Sequence, residues 1–342
     1  MPDGDPYLFR ATLVETLVYV SDQEPGLTRR RAGKGFAYRD AAGILLRDAE
    51  VLARIRKLAV PPAWTEVWIS ADPRGHIQAV GRDAKARKQY LYHPDWSAKR
   101  SASKYARTAA FGRALPRIRE RTDADLARRG PTREKVLATV VRLLELTLVR
   151  VGNREYARIN RSYGLTTLTK RHLELEGSAL VLHFRGKSGV EHRVGLRDRR
   201  LAGLLRGLQE LPGQQLFKYR DAEGQFVLIE SADVNSYLHE IAGEDFSAKD
   251  FRTWAATVSA ARALRIEPPP ETKTEAKRVL ARCCRAVSGL LGNTPAVCRA
   301  SYIHPTVFDA YADGRLRAAL PEPEDEAFEA ALIELLEAAG AS

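Results

Sequence analysis

The sequence predicts an α+β protein, with a small β-rich N-terminal module followed by a mainly helical domain that contains one β-hairpin. Three observations carry this reading. Residues 1 to about 90 alternate short strand-like runs with turn signals, and from about residue 108 long apolar runs recur with helical period. A single two-armed β pattern, "SALVLHFRGKSGVEHRVGL", interrupts the helices. In the first region "GFAYRDAAGILL" reads as a hairpin around Ala41-Ala42-Gly43, and "EVWISADPRGHIQAVG" as another around Pro73-Arg74-Gly75. Between them "DAEVLARIRKLAV" predicts a helix ended by Pro61-Pro62. The expected division is a module over residues 1–90, a basic linker over 91–107 and a helical domain over 108–342.

At 342 residues and 44% hydrophobic content the chain can bury a substantial core in two domains. A net charge of +12 points to a polyanionic partner, because a basic surface attracts phosphates and steers encounter. Nucleic acid is the expected class. The charge is uneven: residues 322–342 hold seven acids and no Lys or Arg, so the residues before them carry all of the positive excess. In that tail Phe328, Leu332, Leu335 and Leu336 recur at helical intervals, which predicts a docked helix with a solvated acidic face. Three cysteines, with no signal peptide and no long apolar run, lead to the expectation of a reducing, cytoplasmic setting and no membrane span. Adjacent Cys283-Cys284 matches no zinc spacing and the seven histidines form no His-Glu-x-x-His pair, so neither a metal site nor a cofactor is expected.

Residues 82–107 hold eight Lys or Arg interleaved with Tyr90, Tyr92, Trp96 and Tyr105. Cations can neutralise phosphates while aromatic rings lie on sugars or base edges, so this stretch reads as a connector lying against a duplex. Its candidate DNA-binding residues are Arg82, Lys85, Arg87, Lys88, Tyr90, Tyr92, Lys99 and Arg100. The competing reading is an ordinary solvated linker.

Beyond it, "ETKTEAKRVLARCCRAVSGLL" opens on a capping box, Thr272-x-x-Glu275, and stops at Gly292. Gly186-Lys187-Ser188 ends like a phosphate-binding loop, but that motif needs glycine at position 181, which is Val, and a helix after it. Lys187 reads instead as a cation held on a hairpin tip. In "SAKDFRTWAATVSAARAL" the Ser247-x-x-Asp250 pattern starts a helix and puts Lys249 and Arg252 near its phosphate-favouring N-terminus. Phe251, Trp254, Ala255 and Val258 share the apolar face, which leaves Arg252 pointing elsewhere. Arg150 ends a strongly apolar helix beside a Gly152-Asn153 stop; it needs solvent, a carboxylate or a phosphate, unless it only complements the helix dipole. Tyr302, in "RASYIHPTVFDAY", is by itself better explained by packing than by reactivity.

Taken jointly, "LVRVGNREYARINRSYGLTTL", "FRGKSG", "AKDFRTW", "LGNTPAVCRASY" and "GRDAKARKQYLYH" resemble the type IB DNA topoisomerases, in particular the small poxvirus-like enzymes of bacteria. The resemblance spans most of residues 30–310. It implies a catalytic domain like that of the tyrosine recombinases, with Tyr302 as nucleophile and Arg150 and Arg252 gripping the scissile phosphate. Lys187 would be the general acid, and Lys249 a possible aid to proton transfer. Asn293 stands where the poxvirus and eukaryotic enzymes have histidine and would donate to a non-bridging phosphate oxygen; an amide can donate that hydrogen bond but does not titrate, so its role is expected to be electrostatic. The implied partner is double-stranded DNA, acted on by a monomer in the nucleoid. A tyrosine recombinase is the nearest alternative, although those enzymes carry His-x-x-Arg where this chain has Lys249-x-x-Arg252; a non-catalytic architectural DNA-binding protein is the other.

Overall fold

The computed structural model describes residues 17–340, apart from the side chains of 98–104 and 340. The chain divides into two compact units, residues 1–104 and 105–342.

The first unit is built on one antiparallel sheet. Its strands are β1 (Leu27–Ala32), β2 (Gly35–Arg39), β3 (Thr65–Ile69), β4 (Ile77–Arg82) and β5 (Lys88–Tyr92), in the spatial order β2-β1-β3-β4-β5. Helix α1 (Ala49–Lys57) starts at Asp48, whose carboxylate accepts from the amides of Glu50 and Val51. It packs Ile55 against Leu27, Val67, Ile69 and Ala79 of the sheet. Arg29 is an inward charge on β1, and three carbonyls satisfy it: Val60 at 3.0 Å, Pro61 at 2.9 Å and Trp64 at 2.7 Å. Its guanidinium also lies 4.1 Å from the centre of the Phe36 ring.

Three expectations for this region change. The first hairpin closes at Gly33-Lys34, where Gly33 adopts φ +56°, and not around Ala41-Ala42-Gly43. The latter residues form a turn that Asp40 organises by accepting from the amides of Ala42 and Ile44, with a single bridge from Arg39 to Leu45. Helix α1 ends before Pro61-Pro62, because Ala59 takes φ +48°. The stretch read as a linker is ordered secondary structure: it supplies the end of β5 and the start of helix α2 (Pro94–Leu126). The hairpin between β3 and β4 turns at Pro73-Arg74-Gly75 as the sequence indicates, Asp72 accepting from the Arg74 amide at 2.8 Å.

The second unit is mainly helical. After α2 come α3 (Arg133–Thr147) and α4 (Arg154–Asn160), then β6 (Leu173–Glu176), β7 (Ala179–Arg185) and β8 (Glu191–Arg197) as a three-stranded antiparallel sheet. Helix α5 (Arg199–Glu210), a short hairpin of β9 (Lys218–Arg220) and β10 (Phe226–Leu228), α6 (Ser231–Ala242) and α7 (Ala248–Arg265) follow. The chain finishes with α8 (Lys273–Leu291), α9 (Pro295–Ser301), α10 (Pro305–Ala312), α11 (Leu316–Ala319) and α12 (Phe328–Gly340). Strands β6, β9 and β10 are additions to the single hairpin the sequence suggested.

Helix α3 is buried on nearly every face, from Val136 through Leu144, and forms the middle of the core. Helix α7 crosses it with a similar lack of a wet face; its Trp254 ring occupies the space above Gly112 of α2, where a Cβ would lie 2.6 Å from the indole. The acidic tail docks as expected, with Phe328, Leu332 and Leu336 inside the core. Its acids face basic helices: Glu337 pairs with Arg113, Glu329 with Arg262 at 3.6 Å, and Glu322 with Arg265 at 2.9 Å. Cys283, Cys284 and Cys298 are all buried free thiols, and burial pushes the Cys283 thiol up to about 12.

Candidate active site

The geometry begins where α3 stops. Leu148 caps the helix in the left-handed region at φ +53°, so the chain leaves α3 two residues before Arg150 and runs extended. Arg150 therefore stands after the helix rather than at its end, and Asn153 is not a stop but the N-cap of α4, accepting from the Tyr156 amide at 2.8 Å. The Arg150 backbone is clamped by the segment that follows α4: its carbonyl accepts from Leu165 N at 2.9 Å, and that of Val151 from Thr166 N at 2.8 Å. Contact is so close that a Cβ on Gly164 would lie 2.5 Å from the Arg150 carbonyl oxygen.

Arg252 overturns the surface placement suggested by its sequence. It is 4% exposed, and it donates to the Leu148 carbonyl at the end of α3 and to the Leu291 carbonyl at the end of α8, the latter at 2.8 Å. Two helix C-termini thus surrender their unpaired acceptors to one guanidinium. Burial lowers its pKa, the nearby Arg150 charge adds to that, and Tyr302 opposes it. The guanidinium carbon sits 5.3 Å from the Tyr302 ring centre.

Tyr302 is the C-cap of α9 and half-buried. Its amide donates to the Cys298 carbonyl at 3.0 Å, and its own carbonyl accepts from Thr257 Oγ1 of α7 at 3.3 Å. Burial, the largest single influence, opposes ionisation of the phenol; Arg252, Arg150 and Lys249 together outweigh it and hold the pKa below its ordinary value.

The two lysines arrive from exposed positions. Lys249 lies in the first turn of α7, behind a capping box in which Asp250 accepts from Ser247 N at 2.8 Å. Arg107 of α2 steadies the same carboxylate at 3.0 Å. Lys187 occupies the tip between β7 and β8, a tight turn with Ser188 at φ +64° and Gly189 at φ +78°, closed by the bond from Gly186 N to the Val190 carbonyl at 2.7 Å. Arg150, Lys187, Lys249, Arg252 and Tyr302 line one cavity of ≈ 440 Å³. Asn293 is outside its lining but touches it: after the Gly292 cap of α8, its side-chain oxygen accepts from Arg150 Nη2. Its amide nitrogen is buried beside the Cys298 thiol without a strong acceptor.

The cavity also takes residues that sequence reasoning passed over, among them Asn153, Tyr156 and Tyr163. All three sit in the quoted "LVRVGNREYARINRSYGLTTL" run, and the first two, three and six residues after Arg150, could have been flagged by proximity to it. Tyr163 could not, since it arrives through a bond from its amide to the Arg185 carbonyl at 2.8 Å at the root of the hairpin.

The candidate DNA-binding residues lie in the first unit. Lys88, Tyr90 and Tyr92 share one face of the edge strand β5, with the two tyrosine rings stacked at 5.9 Å and each about 40% exposed. Several of the cations already have partners: Arg82 pairs with Glu66 at 2.7 Å, Arg87 with Asp83 at 2.6 Å and Lys88 with Asp22 at 2.7 Å. Hydrogen bonding from Arg87 is the main reason the Asp83 carboxyl is held down to about 2. Lys85 is exposed, and the Lys99 and Arg100 side chains lie outside the described residues.

No helix among the described residues is long and apolar enough to cross a membrane. Residues 87–319 match the family described as eukaryotic DNA topoisomerase I, catalytic core, and residues 35–83 match the bacterial DNA topoisomerase IB, N-terminal domain. The chain is 30% identical over 296 residues to the DNA topoisomerase 1B of Acanthamoeba polyphaga mimivirus, an alignment covering 84% of this chain and 87% of the relative. It is 22% identical over 240 residues to the DNA topoisomerase 1B of vaccinia virus strain Copenhagen, covering 68% of this chain and 72% of the relative.

Proposed function

The chain belongs to the type IB DNA topoisomerases, and from that premise we propose that it relaxes positive and negative supercoils through a transient 3′-phosphotyrosyl link to Tyr302. The observation that carries the mechanism is the single cavity in which a half-buried tyrosine faces Arg150, Arg252, Lys187 and Lys249.

A phenol with its usual pKa near ~10 is a poor nucleophile at neutral pH. Here the surrounding cations favour phenolate character, as the depressed Tyr302 pKa records. The Tyr302 oxygen attacks the scissile phosphorus, a phosphorus–oxygen bond to tyrosine forms, and the bond to the 5′-oxygen breaks. Arg150 and Arg252 stabilise the charge of the five-coordinate transition state. Lys187 gives its proton to the departing 5′-oxygen and recovers it when the 5′-hydroxyl reattacks. The ester conserves the energy of the broken bond, so religation needs no ATP, and the cleaved strand swivels in between under torsional strain. Asn293 acts chiefly by holding the Arg150 guanidinium, since its oxygen is the atom engaged there. Lys249 supplies further positive field, which assists loss of the Tyr302 proton to solvent as the phenolate forms.

The first unit is proposed to lie on the duplex through Arg82, Lys85, Arg87, Lys88, Tyr90 and Tyr92, with Lys99 and Arg100 following. Their ion pairs are exposed to solvent and so contribute little, and phosphates can replace the carboxylates at little cost. Action as a monomer is supported by the origin of the site: all five cavity residues come from the second unit of one chain.

The test is incubation of the purified protein with negatively and with positively supercoiled plasmid, in EDTA and without ATP, alongside Tyr302→Phe. Relaxation of both substrates by the wild type alone supports the proposal. Relaxation retained by Tyr302→Phe removes the nucleophile assignment, while a strict need for paired recombination sites would favour a tyrosine recombinase.

A further inference from the structure

Behind the catalytic cavity lies a second hollow of ≈ 290 Å³, between the hairpin and the end of α8, whose walls include Arg150, Lys187, Arg252 and His192. His192 sits on β8 opposite Phe184 of β7, and the two rings stack at 5.2 Å with 14° between their planes. The edge of the imidazole meets main chain on two sides. A Cβ on Gly186 would lie 2.5 Å from His192 Cδ2 and 2.6 Å from Nε2, and one on Gly292 would lie 2.8 Å from Cε1. Gly186 has an ordinary φ of −94°, so what it supplies is room for the ring rather than backbone freedom. Gly292 supplies both, at φ +61°.

The two glycines precede two functional residues: Gly186 leads into Lys187, and Gly292 leads into Asn293. We propose that His192 is a positioning residue for cleavage, a planar spacer that sets the Lys187 hairpin tip against the Gly292-Asn293 turn and so fixes where the general acid delivers its proton. The proposal rests on the assignment of Lys187 as that acid. Spacing, rather than proton transfer, is the role that fits the surroundings. Burial is the main reason the His192 pKa is lowered; Arg150 and Arg252 add to it, against a smaller opposing effect of Glu191. Lys187 and Arg193 also line the hollow, while the facing end of α8, residues 289–292, contributes no ionisable group. A neutral ring keeps the gap filled without adding a further cation beside the phosphate site.

The experiment is single-turnover cleavage of two duplexes that differ in the atom leaving the scissile phosphate, the natural 5′-oxygen or a 5′-sulfur. A thiol has a pKa near ~8.5, so sulfur leaves without a proton and bypasses the general acid. Lys187→Ala, His192→Ala and Gly186→Ala, which drives a methyl into the ring, should each slow the oxygen duplex at least ~10-fold and the sulfur duplex by less than ~3-fold. Adding His192→Ala to Lys187→Ala should cost less than a further ~3-fold, because both act on one step. His192→Phe should restore most of the loss.

Circular dichroism of each variant checks that the domain is folded, and the sulfur duplex reports an intact site independently. If Lys187→Ala shows the selective loss and His192→Ala either slows both duplexes alike or neither, this proposal falls and the general-acid assignment stands. If Lys187→Ala itself slows both alike, the general-acid assignment falls and this proposal with it.

Discussion

Arg252 joins the carbonyls of Leu148 and Leu291 while facing Tyr302, whereas Arg150 is half-buried and held through Asn293. Removing the two side chains should therefore look different. Arg252→Ala leaves buried carbonyls without donors, at about 1–3 kcal/mol each, so both thermal stability and cleavage should fall. Arg150→Ala should lose a comparable ~10²-fold or more in single-turnover cleavage with a much smaller drop in melting temperature. Asn293→Ala should cost cleavage less than either. Equal melting temperatures for Arg252→Ala and wild type would contradict the buried tie. The candidate residues could be found in the sequence because their motifs are local, but the setting of Arg252 could not. Helix α7 buries Phe251, Arg252, Thr253 and Trp254 in succession, so no polar face existed from which to infer its direction. His192 was missed for a different reason: its neighbours are fixed by the β7–β8 register and by a turn about a hundred residues later in the chain.

Among elements, α12 shows which parts of a docked helix matter. Phe328 and Leu332 are fully buried, while Glu337 meets Arg113 near the surface. Phe328→Ala should destabilise the second unit by about 3–5 kcal/mol, read from urea denaturation. Glu337→Ala should change it by less than ~1 kcal/mol. An ordering of these two variants in the opposite sense would mean that charge rather than packing holds the helix. Helical period and capping signals made these helices legible in different respects, α7 by its capped start, α8 by both ends and α12 by its buried face, because long apolar runs and Ser, Thr or Gly caps encode local physics. The short strands β9 and β10, of three residues each, carry too little alternation to register, and the hairpin at Gly33-Lys34 was obscured by a stronger turn signal from Asp40 onward.

For the whole molecule, two solution conditions follow from charge. DNA affinity should fall steeply with salt, and Lys88→Ala should weaken binding without regard to sequence and reduce the salt slope by about 1. An unchanged slope would remove Lys88 from the interface. In acid, His172 and His192 both have pKa values lowered from 6.5, in each case chiefly by burial. The unfolded chain then binds more protons than the folded one below that value. Their contribution to stability is complete above pH 6.5 and is lost as pH falls through the folded-state values. Melting temperature should decline from pH 7.5 to pH 5.5, and His192→Phe should decline less steeply than the wild type.

The tie through Arg252 has one further result. The guanidinium that faces Tyr302, the proposed nucleophile, is the same group that seals the ends of α3 and α8, and Tyr302 is anchored to α7 through Thr257. A chain in which any of these helices has not yet docked lacks the assembled arrangement to which cleavage is assigned. On the proposed mechanism, competence to cut arrives only with the completed fold, and an incompletely folded copy is expected to be inert rather than a source of strand breaks that it could not reseal.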